Sequence, residues 1–101
     1  MLSDKKVRCS MISIDCADTT FGDDSEQIIT YSMDFLVRKE KREEMFKFIT
    51  IALGHFGIDP ISMHMLDAGL KENADIHTKN TILATIRDYS KLNAKSSSKR
   101  F

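Results

Sequence analysis

Ile29, Tyr31, Met33, Phe35 and Val37 alternate with Thr30, Ser32 and Asp34. Five apolar positions at a period of two, most of them β-branched or aromatic, predict a half-buried strand over residues 28–38. Asp24 and Gln27 could cap a helix there instead, but the run of five alternations favours the strand. A strand needs a neighbour, and residues 6–15 supply one. Val7, Cys9 and Met11 alternate with Arg8 and Ser10, and Ile12 and Ile14 alternate with Ser13 and Asp15. The one-residue slip at Met11-Ile12 predicts a bulge. Between the two runs, Cys16 to Glu26 carries Asp18, Thr19, Thr20, Gly22, Asp23, Asp24 and Ser25, the chemistry of a loop.

The remainder reads as helical. Met45, Phe48, Ile49, Ala52 and Phe56 make an apolar stripe on a helix over 39–56, with Phe46, Leu53 and Ile51 widening it. Gly57 is a C-terminal stop. Asp59-Pro60 has the form of a helix start, a capping acid followed by proline at the first helical position. On a helix over 60–72 the apolar residues would form two stripes, Ile61/Met65/Ala68 and Met63/Leu66/Leu70. A last helix is expected from residues 75–78 onward, with Ile82, Leu83, Ile86 and Tyr89 on one face.

The expected fold is therefore α+β: a two-stranded antiparallel β-hairpin followed by three α-helices, β-β-α-α-α. Residues 1–94 would be a single domain, and 95–101 a flexible basic tail. Two strands alone leave both edges unpaired. A homodimer that pairs strands between copies would resolve this and would also cover the second stripe of the 60–72 helix.

Composition narrows the function classes. Hydrophobic residues make up 42% and charged residues 30% of the 101, an ordinary globular mix. Fifteen basic and fifteen acidic residues cancel, so net charge points to neither nucleic acid nor membrane. Residues 1–37 nevertheless hold three basic and seven acidic side chains, and 38–101 hold twelve basic and eight acidic. No apolar h-region follows Met1–Arg8 and no run is long enough to span a bilayer. Two cysteines, Cys9 and Cys16, are too few for a secreted disulfide scaffold. The expected setting is the cytoplasm.

Catalytic signatures are lacking: there is no Gly-rich phosphate loop, no G-x-S-x-G and no H-E-x-x-H. Cys9, Cys16, His55, His64 and His77 supply the residue types for a thiol nucleophile and a base, without a local motif. Asp15, Asp18, Asp23, Asp24 and Glu26 lack EF-hand spacing. Met63-His64-Met65 offers soft ligands, but on a helix its methionines would point about 200° apart. The expectation is a protein that is not an enzyme and has no cofactor and no metal.

Two functional readings remain. In the first, the chain is a regulatory or adaptor protein that binds another protein. Its contacts would be Phe21, an aromatic anchor in an acidic loop, and the surplus apolar stripe Met63, Leu66 and Leu70. In the second, residues 60–92 form a DNA-binding helix-turn-helix. Asn80, Arg87 and Lys91 would then face the groove, with Asn and Arg suited to adenine and guanine edges. Asp88 and Asp75 would oppose phosphate there.

Overall fold

A computed structural model describes residues 5–22 and 25–98, including the side chains outside 19–27 and 93–98. Strand β1 (Lys6–Gly22) and strand β2 (Ser25–Arg38) form an antiparallel hairpin, in register from Cys9↔Arg38 to Gly22↔Ser25. A 3-10 turn at Lys39–Lys41 leads into helix α1 (Arg42–His55). Strand β3 (Pro60–Glu72) then returns antiparallel along the other side of β1. A second 3-10 turn at Asn73–Asp75 precedes helix α2 (Lys79–Ser98). The sheet order is β2-β1-β3.

The α+β class holds, but the expected β-β-α-α-α order does not. The expected 60–72 helix is a strand, so the order is β-β-α-β-α. Ile61, Met63 and Met65 also alternate with Ser62 and His64, so the segment carries both periodicities. Tertiary context decides between them. The central strand β1 has a second edge, and β3 fills its backbone hydrogen bonds from Lys6↔Glu72 to Cys16↔Pro60. The bulge also differs in place. Register shifts occur against β3 at Cys9/Ser10 and Asp15/Cys16, not at Met11-Ile12.

The stretch expected as a loop is largely strand too: β1 continues to Gly22 and β2 begins at Ser25. β3 accompanies β1 only as far as Cys16, so residues beyond it form a two-stranded arm. The Asp, Thr, Ser and Gly content of this stretch imitates a loop.

One sheet face carries the core. Ile12, Ile14 and Cys16 of β1 and Met33, Phe35 and Val37 of β2 are buried against Met45, Ile49, Ala52 and Leu53 of α1 and Ile82 and Ile86 of α2. The stripe read on α1 is therefore its buried face, although Ile51 points to solvent at 73% exposure. α1 ends in a Schellman motif: Ile58 N–H donates to the Leu53 carbonyl at 2.9 Å and Gly57 N–H to the Gly54 carbonyl at 3.1 Å. Gly57 takes the required left-handed conformation at φ 72°, and Ile58 and Leu53 close the motif inside the core. α2 starts on a reciprocal cap. Thr81 N–H donates to Thr78 Oγ1 at 3.2 Å, and Thr78 N–H donates to Thr81 Oγ1 at 2.8 Å. α2 runs on to Ser98, into the stretch expected as a tail.

Candidate functional site

The two outer strands end differently at their free edges. On β2, Leu36 is paired as if by another strand. Its carbonyl accepts from His77 N–H at 2.8 Å, and its N–H donates to His77 Nδ1 at 3.0 Å. The His77 ring also meets Phe35 edge-on, with centroids 5.4 Å apart. Further along, Tyr89 of α2 donates to the Ser32 carbonyl at 3.4 Å and stacks on Tyr31. His77→Ala leaves the Leu36 N–H without its acceptor, at a cost of about 1–3 kcal/mol. The expected result is a clear drop in Tm by differential scanning fluorimetry, with His77→Asn, which restores an acceptor, closer to wild type.

The outer edge of β3 has no such cover among the described residues. Its side chains include Ile61 at 64%, Leu66 at 57% and Leu70 at 56% exposure. Bulges lie towards both ends of its pairing with β1, and Gly69 adopts φ 73°. The stretch between them is regular and antiparallel. Leu66 stands opposite Met11, and Met11 stands opposite Leu36, on the face away from the helices.

The same open face carries a polar row. Asp15 accepts from Ser32 Oγ at 2.8 Å and from Ser62 Oγ at 2.9 Å, joining all three strands. The Ser32 hydroxyl, then the Ser62 hydroxyl, hold the Asp15 carboxyl below the ordinary aspartate range, and His64 adds to the effect. Both serines donate directly to the carboxylate, and no imidazole stands between them to act as a base. The row clamps strand register.

Cys9 and Cys16 are unpaired and buried on β1. Burial pushes the Cys9 thiol up, against the fields of Arg38 and Lys71. Burial also raises the Cys16 thiol, opposed by a hydrogen bond with Tyr31 and reinforced by Asp15. A nucleophile needs the reverse shift. Iodoacetamide is expected to label the native protein at pH 7 far more slowly than the urea-unfolded chain, as read by mass spectrometry.

The expected site residues separate. Met63 is half-buried against the core and accepts the Thr50 hydroxyl at its sulfur, 3.7 Å away. Leu66 and Leu70 are exposed, so Met63, Leu66 and Leu70 are not one stripe: a strand sends Met63 and Leu66 to opposite faces. Strand geometry also puts Met63 and Met65 on the same face, with His64 on the other. Phe21 pairs with Glu26 near the end of the arm, and its side chain lies outside the described residues. Asn80, Arg87 and Lys91 are exposed on α2, but β3 occupies the place of the helix that a helix-turn-helix requires. Among the described residues, no three His, Cys, Asp or Glu side chains gather to hold a metal.

Sequence reasoning also missed a charged end of the molecule. Pairing of Cys9 with Arg38 brings the start of β1 beside the 3-10 turn and the start of α1. A groove of about 480 Å³ there is lined by Lys5, Lys6, Arg8, Arg38, Lys39 and Arg42, with Glu40 its one carboxylate. A second groove of the same volume shares Arg38 and adds Lys41 and Lys79, with Glu44 bonded to Lys79 at 2.9 Å. No family model, curated protein or solved structure matches the chain.

Proposed function

We propose that this chain is a non-catalytic regulatory or adaptor protein of the cytoplasm that works by protein–protein contact. Its contact element is the outer edge of β3, and its partner is a second copy of the chain. The observation that carries this reading is the difference between the two sheet edges beside the helices: His77 and Tyr89 cover β2 at Leu36 and Ser32, whereas among the described residues nothing bonds to the outer edge of β3, where Ile61, Leu66 and Leu70 are exposed. An open, partly apolar edge strand is a template for another strand. An antiparallel pair of identical strands satisfies two-fold symmetry, so one surface can serve both copies. The resulting sheet would have six strands. Two unpaired thiols accord with a reducing compartment.

Sedimentation equilibrium over a range of concentrations tests the reading. The expected species at high concentration has twice the 11.5 kDa chain mass. A monomer at every concentration overturns self-pairing.

A further inference from the structure

We propose that the two grooves joined at Arg38 form a site for the phosphodiester backbone of a nucleic acid duplex, held without reading its sequence. The chain as a whole is neutral, yet six cations line one groove against a single carboxylate, Glu40. Among the described residues, Lys79–Glu44 is the ion pair that forms, and it lies in the second groove. Lys5, Lys6, Arg8 and Lys39 line the first groove and make no ion pair within 4 Å among the described residues, although Glu72 stands opposite Lys6 in the ladder and Glu40 shares the groove. Such a concentration of positive charge raises the local potential and attracts a polyanion.

Three features give the anion its class. The cations extend from Lys5 through Arg38 to Lys41 across two grooves, which suits a chain of phosphates better than one; Lys79 is already paired with Glu44. Neither groove is lined by Phe, Tyr or Trp, so there is no aromatic platform on which to stack an unpaired base. The lining of the first groove is dominated by Lys and Arg, whose contacts to phosphate set affinity and carry no base information. The site uses none of Asn80, Arg87 and Lys91.

The test is fluorescence anisotropy of a labelled mixed-sequence DNA duplex at 50 and 200 mM salt. Binding is expected at the lower salt and should weaken about 100-fold or more at the higher, as four or more phosphate contacts require. The triple variant Lys5→Glu, Lys6→Glu, Arg8→Glu changes exposed side chains and should abolish binding with little change in Tm. Lys39→Gln should reduce the salt slope by about 0.9. The triple variant Asn80→Ala, Arg87→Ala, Lys91→Ala should bind as wild type does. No binding at tens of micromolar, a salt-independent affinity, or loss in the α2 variant instead of the groove variants would each overturn the proposal. So would displacement of the duplex by ATP at equal concentration, which would mark a site for a compact polyphosphate.

Discussion

Phe35→Ala is expected to cost about 3–5 kcal/mol, the usual range for removing a buried aromatic side chain. Phe35 is fully buried near the C-terminal end of β2. It faces Ile12 across the ladder and is met on its ring by the edge of His77. Removing the ring opens a cavity between sheet and helices. It also removes the support for the imidazole that closes the edge of β2. A domain of this size typically has about 5–15 kcal/mol to lose. At about 4–8 °C per kcal/mol, Tm should fall by more than about 12 °C in a thermal scan followed by circular dichroism. A fall of only a few degrees would mean that the core is not centred on this residue.

Leu66→Asp should leave the monomer intact and remove the dimer. Leu66 is 57% exposed in the single chain, so the monomer loses little by the change. In a two-fold dimer the substitution enters the interface twice, placing two carboxylates in a partly desolvated seam. Desolvating an unpaired charge costs several kcal/mol, and each 1.4 kcal/mol is tenfold in Kd. The dimer Kd should rise about 100-fold or more by sedimentation, with Tm of the dilute protein unchanged. Dimers of undiminished affinity would place the interface elsewhere.

Where one periodicity dominated, the fold was legible in the sequence. The alternation from Ile29 to Val37 became β2, and the stripe from Met45 to Ala52 became the buried face of α1. Gly57 ended that helix with the backbone geometry its position implied. The segment 60–72 was not legible, because Asp59-Pro60 imitates a helix start and Met, Leu and Ala favour helices. The free edge of β1, a non-local requirement, outweighed those local preferences. Gly69 was the missed signal. Within a helix it would cost about 1 kcal/mol relative to alanine, whereas in β3 it adopts φ 73° beside a bulge.

The candidate site was legible only in part. Leu66 and Leu70 are exposed, as a contact surface requires, but a two-residue period divided the expected stripe and turned Met63 inward. The edge asymmetry depends on His77 reaching Leu36 across 41 positions, and no local pattern encodes that pairing. The cationic grooves were hidden for the same reason. Their side chains come from the start of β1, the end of β2, the turn after it and the start of α2, and a neutral total charge conceals their convergence.

Amide hydrogen exchange across residues 61–67, at protein concentrations well below and well above the dimer Kd, tests the β3 edge most directly. In the monomer the outward-facing N–H groups of β3 have no partner among the described residues and should exchange rapidly, while those bonded to β1 stay protected. At high concentration the outward set should become protected as well, with the outer edge of β2 unchanged. Fast exchange along the outer edge of β3 in a sample shown to be dimeric would contradict the account.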